Sequence, residues 1–269
     1  MNSKQNSKRP NTVSIFFLLS STLLISACDQ HLKPYYTFEA STPIYQYQGG
    51  DELVYSVLDM SSSSEGDSLG SYTRNFSNTT QLTLSTSIET IQENFSGNQN
   101  FSPPFITRHI NYNDQGDMEL VALAIGDELF WLTENDELSG VVLYFAQVDE
   151  IQENNYNFTR ELQICNESRC EDSGTIEANY AYLKEELAKT SFADFDTHAM
   201  NVSIAINIHQ NALSETNKNH RLLGTEWHYP PLGVVKYEYD IESDSEQVTL
   251  LGHLSRTNIN IPEALKQKN

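Results

Sequence analysis

The chain has 269 residues, with 37 acidic against 16 basic side chains and a formal charge of −21 at pH 7. A surface this negative repels phosphate backbones and anionic headgroups, which excludes nucleic acid as a partner. The acids are spread along the chain rather than run together, so most of them read as solvated faces.

At the N-terminus a polar stretch carries Lys4, Lys8 and Arg9 and no acid, and an apolar run, VSIFFLLSSTLLI, follows over 13–25. That run is shorter than the roughly 20 residues a membrane-spanning helix needs. A basic start, a short apolar stretch and small residues at its end describe an export signal. The signal ends Ile25-Ser26-Ala27-Cys28. This resembles the lipobox of bacterial lipoproteins, in which an aliphatic and two small residues precede a cysteine. The resemblance implies that residues 1–27 are a signal peptide and that Cys28, diacylated on sulfur with palmitate-like chains, begins the mature protein. Two or three such chains hold a protein at a membrane, since each buried CH₂ contributes about 0.8 kcal/mol. Asp29 resembles the enteric signal for retention at the inner membrane, so the expected place is the periplasmic side of that membrane.

Residues 28–46, with Pro34 and Pro43, read as a lipidated tether, and 47–261 as one antiparallel β domain. ELVYSVLDM from Glu52 alternates and is rich in β-branched and aromatic residues. Residues 61–71 form a polar loop, and 80–91 alternate apolar and hydroxyl residues as one half-buried strand should. ITRHINY (106–112) and MELVALAI (118–125) flank a turn and predict a hairpin. Strand patterns continue at 128–133 and 141–148. Thr175 to Lys189 changes character: good helix formers place Ile176, Tyr180, Leu183 and Leu187 at helical spacing, with Ser173 as cap. Strands resume at 200–209, 233–241 and 247–254, and 262–269 reads as a loose tail. Eight or more locally connected strands with about one helix predict a mainly β fold, a single strongly curved sheet forming a half-barrel or open barrel.

Three groups of residues could carry chemistry. Cys165 and Cys170, in an exported chain, are expected to form a disulfide. Asp194, Asp196 and His198 alternate, so on a strand they share a face and are candidates for a divalent metal, although any solvent face alternates in this way. Asn111 to Gly116 superficially matches a calcium loop, but position twelve is Ala122, and a plain hairpin turn explains the residues better. The scattered histidines, His228 beside Glu226 included, read as surface groups. The G-x-S-x-G pattern occurs once, as GDSLG at 66–70, but it lies inside the polar 61–71 stretch with strand patterns after it, not between a strand and a helix, so it does not read as a nucleophile elbow. The chain is therefore expected to be no enzyme and to need no cofactor.

The segment GTEWHYPPLGVVKYEY (224–239) resembles a late turn and strand of periplasmic half-barrel proteins, and GDELVYSV (50–57) resembles their opening strand. Those proteins are similar in shape to the Lol-type lipoprotein carriers, whose curved sheet encloses an apolar cavity. The resemblance implies an apolar or lipid-like ligand on the concave face, with Trp227 and Tyr229 as candidates to touch it. Closing a sheet edge is the other role open to those two. The alternative function is an envelope assembly or interaction subunit with no small ligand, its partner another envelope protein.

Overall fold

The computed structural model describes residues 33–39, 42–62, 65–83, 86–97, 107–135, 137–144, 155–244 and 247–267. The expected signal peptide, Cys28 and Asp29 lie outside them. The strands in chain order are β1 (Tyr35–Tyr36), β2 (Glu52–Asp59), β3 (Asp67–Thr83), β4 (Thr86–Ser96), β5 (Thr107–Tyr112), β6 (Met118–Ile125), β7 (Glu128–Glu134), β8 (Glu137–Leu138) and β9 (Val141–Tyr144). They continue as β10 (Tyr156–Cys165), β11 (Cys170–Lys189), β12 (Asp194–Ile208), β13 (Lys218–Tyr229), β14 (Gly233–Ser243), β15 (Gln247–Thr257) and β16 (Lys266–Gln267).

Antiparallel pairing runs β11-β10-β7-β6-β5-β4-β3-β2-β15-β14-β13-β12, and β12 pairs back onto β11. The result is a closed barrel of 12 strands rather than the expected half-barrel or open barrel. Closure removes the two free edges that an open sheet would have to protect. Period-2 alternation then sorts the side chains. On β14, Val235, Tyr237, Tyr239 and Ile241 are buried, while Glu238, Asp240 and Glu242 are exposed. Along β14 the outer face is thus charged and the inner one apolar.

The expected helix over 175–189 is strand. The whole of Cys170–Lys189 is extended, and its register runs from Gly174↔Ile208 to Lys189↔Asp194 on one side and along β10 on the other. Ile176, Ala178 and Tyr180 alternate into the core, whereas Leu183 and Leu187, part of the supposed helical face, are exposed. Helix propensity amounts to tenths of a kcal/mol per residue, and two flanking hydrogen-bonded ladders override it. Ser173 caps nothing; it precedes Gly174, which has φ +140° and lies so close to the Asn207 carbonyl that an added Cβ would be 1.9 Å from it.

Three other expectations change. The alternating stretch 80–91 is not one strand, because Thr83 pairs with Thr86 and the chain doubles back there. An unbroken threonine and serine pattern carries no turn marker to reveal the reversal. The described part of the tether is bound to the barrel: Tyr35–Tyr36 pairs parallel with Asp194 and Phe195, Tyr36 is buried, and Lys33 donates to the Thr190 carbonyl at 3.0 Å. The tail likewise pairs, Lys266–Gln267 running antiparallel to β1, after buried Ile259 and Ile261.

Cys165 and Cys170 are bonded across the β10–β11 turn. Closing so short a loop removes little chain entropy, about 2 kcal/mol. Cys165→Ser with Cys170→Ser should therefore lower the unfolding free energy by about that much while leaving the barrel folded at 25 °C. Urea denaturation of both forms checks this, and a collapse of the fold would contradict it.

Candidate binding cavity

The barrel interior is divided by a belt of buried charge. Arg74 sits on β3 between Tyr72 and Phe76, and Glu93 on β4 between Ile91 and Phe95, so strict alternation turns both charges inward with their apolar neighbours. Glu93 is 1% exposed and accepts two bonds from Arg108 of β5, Nε to Oε2 at 2.6 Å and Nη2 to Oε1 at 2.9 Å. Arg74 pairs with the same carboxylate from the other side. The Arg74 guanidinium also lies 5.4 Å from the Phe95 ring centre, and its Nη1 donates to the Tyr55 hydroxyl at 3.3 Å. Tyr55 in turn donates to the Val234 carbonyl at 2.6 Å. Burial alone would raise the Glu93 carboxyl, but the two guanidiniums win and hold it below the usual range.

A second pair completes the belt. Glu226 of β13 is bonded to His228 Nε2 at 2.6 Å and accepts from the Tyr239 hydroxyl. Burial pushes its carboxyl up, but the bond and charge of His228, with Tyr239 and Arg108, bring it to about 2. His228, expected at the surface, is 6% exposed and stacks on Tyr144 with ring centres 4.4 Å apart.

On one side of the belt lies a cavity of about 100 Å³. Its walls are mainly apolar, including Leu120, Phe158, Ile176, Ile206 and Leu222; Arg108, Tyr180 and Glu226 stand at its polar side, and His220 and Arg221 also line it. On the other side a smaller space of about 30 Å³ is bounded by Tyr47, Tyr144, His228 and Val234. The two share Arg108, Leu143, Tyr180 and Glu226 as walls.

The candidates from sequence lie elsewhere. Trp227 donates from Nε1 to Glu186 at 2.9 Å, and its ring is covered by the Lys236 ammonium at 4.0 Å. Tyr229 is fully buried, donates to the Thr37 carbonyl at 3.0 Å, and packs on Phe195. Trp227 braces β11 and Tyr229 holds the segment after β1. Neither lines either cavity, which corrects their reading as ligand contacts. The turn after them needs Gly233, which has φ +92° and leaves room for the Tyr47 hydroxyl, 1.9 Å from where a Cβ would stand. That hydroxyl donates to the Leu232 carbonyl at 2.9 Å.

Asp194, Asp196 and His198 do alternate on β12, but they form no metal-binding group. Asp196 accepts from the Tyr35 hydroxyl at 2.6 Å, and His198 is fully buried with its ring 4.8 Å from that of Phe38. Among the described residues no three ligand side chains gather as a metal site would require. The turn at Asn113 is a plain hairpin, with Asn113 Oδ1 accepting from the backbone of Gln115 and Asp117. Sequence reasoning missed Arg74, Glu93, Arg108 and Glu226. For Arg74, Glu93 and Arg108 the available signal was a charge flanked at i−2 and i+2 by aromatic or aliphatic residues, whereas Glu226, between Gly224 and His228, carried none.

No family model matches the chain, and no curated protein matches it. Among solved structures it is similar to an inferred lipoprotein from Parabacteroides distasonis, at 13% identity and a TM-score of 0.35, covering 78% of this chain and 95% of that one. It is also similar to an inferred exported protein with a YmcC-like fold from Bacteroides fragilis, at 10% identity, TM-score 0.38, and 80% and 99% coverage. A third is the hypothetical lipoprotein YmcC from Escherichia coli, at 7% identity, TM-score 0.32, and 77% and 84% coverage. Identities and scores of this size describe a loose likeness.

Proposed function

We propose that this chain is a lipid-anchored, non-catalytic binding module of the bacterial envelope, whose barrel takes one slim apolar group, such as the end of an acyl chain. The observation that carries this reading is the apolar cavity between Leu120, Ile176, Ile206 and Leu222. An unfilled apolar space forfeits the packing that every neighbouring side chain could have had, and a ligand restores it. The lipobox at Ile25 to Cys28 supplies the anchor. The charged residues of the belt are committed to one another: Glu226 is bonded to His228 and Tyr239, and Glu93 to Arg74 and Arg108.

Size limits the ligand. Pockets that enclose drug-sized molecules hold roughly 300–1,000 Å³, and this cavity holds about 100 Å³. A whole lipid does not fit beside the barrel's own side chains, so the expected apolar or lipid-like ligand on a curved sheet contracts to part of a chain in a slot.

The test is native mass spectrometry of the mature domain without its acyl anchor, together with solvent extraction. A stoichiometric apolar molecule is expected, and Ile206→Trp, which fills the cavity, should abolish it while the barrel still unfolds cooperatively. Overpacking of this kind costs about 1–3 kcal/mol. Equal ligand retention by the filled variant would show that the cavity is not the site.

A second reading, an assembly subunit, is favoured by one feature. β2 pairs with β3 only as far as Asn75, whereas β3 and β4 continue together to Thr83 and Thr86. Among the described residues, 77–83 therefore have no strand on their other side, and such an edge can accept a strand from a partner. Crosslinking from residues 77–83 in membranes would capture a specific envelope protein if this reading holds.

A further inference from the structure

Resting on the binding reading above, we infer that the ligand is a neutral amphiphile with a hydroxyl head, its tail in the apolar cavity and its hydroxyl on Tyr144. The Tyr144 hydroxyl is buried with no hydrogen-bond partner among the described residues, and it borders the smaller space beside His228 and Glu226. A buried hydroxyl left in this state costs stability, so a group that bonds it gains correspondingly on binding. The smaller space and the apolar cavity share Tyr180 and Leu143 as walls, so they lie about one side chain apart. A linear molecule reaching from one into the other would present an apolar tail to Ile176 and Ile206 and its end group to Tyr144.

The charge of that end group follows from its surroundings. Arg74, Arg108 and His228 stand against Glu93 and Glu226, and all five are already bonded within the belt. The Tyr144 ring stacks on His228 at 4.4 Å, and His228 is bonded to Glu226, whose charge acts on the Tyr144 hydroxyl, so a carboxylate bonded there would face a like charge. An ammonium would lose its hydration beside the two guanidiniums. A charged group moved out of water without a free counter-charge is strongly disfavoured, whereas a neutral hydroxyl both donates and accepts and needs only Tyr144.

The experiment titrates the folded mature domain with three probes of equal chain length, 1-hexanol, hexanoate and hexylamine, at pH 7, following amide chemical shifts. Hexanol should bind at least tenfold more tightly than either charged probe. Tyr144→Phe should weaken hexanol about tenfold without changing the weak binding of the others. Tyr237→Phe, which removes another unpartnered buried hydroxyl that borders neither space, should leave the preference intact and controls for general loosening. Hexanoate or hexylamine binding as tightly as hexanol, with binding lost in Ile206→Trp, would overturn the hydroxyl head while leaving the cavity as the site. If no probe binds the native domain, the hydroxyl inference and the binding reading fall together.

Discussion

Glu93→Leu is expected to destabilise the barrel by about 3–5 kcal/mol, a larger loss than removing the disulfide should cause. The change leaves two guanidiniums, Arg74 at 4% exposure and Arg108 beside it, without the carboxylate they share. Breaking a buried ion pair costs this much because the remaining charge can neither regain water nor find a new partner. The companion variant decides whether the belt serves stability or specificity. Replacing all three together, Arg74→Met, Glu93→Leu and Arg108→Met, removes the charges and their desolvation at once, and such exchanges are often neutral or stabilising. Urea melts of both variants should show the single change far below the native protein and the triple change near it. A triple variant as unstable as Glu93→Leu would mean that the belt contributes net stability. A near-native triple variant that no longer binds ligand would assign the belt to recognition.

The second large effect is on pH. His109 and His198 are each drawn down to about 4, His109 by burial and His198 by burial together with the charge of His228. His109 keeps one partner, Thr90 at 3.1 Å, whereas neither ring nitrogen of His198 has one among the described residues. The native state keeps these rings neutral while the unfolded chain protonates near 6.5, so between those values the unfolded state binds more protons. Stability is therefore complete above about pH 6.5 and falls as the pH drops toward 4. Each histidine contributes about 1–2 kcal/mol to this loss, less than its whole shift implies because nearby polar groups screen the charge. A separate acid step follows, because the lowered carboxyls of Glu93 and Glu226 stabilise the fold above the ordinary carboxylate range and lose that contribution as the pH falls below it, Glu226 toward about 2. His198→Leu should leave stability at pH 7 equal or higher, since it removes an unsatisfied ring from an apolar site, and should reduce the drop between pH 6.5 and 4 by about half. Urea midpoints measured at half-unit intervals check this, and an unchanged slope in the variant would remove His198 from the account.

How far each feature can be read from sequence depends on the range of the interaction behind it. β2, β14 and β15 are legible because their alternation of apolar and polar residues is local and their ends carry glycine or polar turns. The disulfide is legible for the same reason: Cys165 and Cys170 are five positions apart, so they can be paired without knowing the fold. β11 misleads because its segment satisfies two periods at once. Ile176, Ala178 and Tyr180 fit a strand, while Ile176, Tyr180, Leu183 and Leu187 fit a helix. Only β10 and β12, running beside it, choose between them. The charged belt escapes for a different reason. Arg74, Glu93 and Arg108 each resemble an ordinary surface charge in isolation, and their burial is tolerable only because the barrel brings the three together.

The amino-acid sequence by itself therefore determined the β character, the paired cysteines and the acidic balance, each a matter of composition or of residues a few positions apart, and it is the sole basis for expecting an export signal that ends at Cys28. The tertiary structure alone decided closure, because β11 meets β12 only once every intervening strand has its register. It decided likewise that Trp227 braces β11 and Tyr229 the N-terminal segment, and that the interior is charged at its middle and hollow on one side. These are pairings between residues tens of positions apart, where the free energy lies in which side chains meet rather than in what each one is.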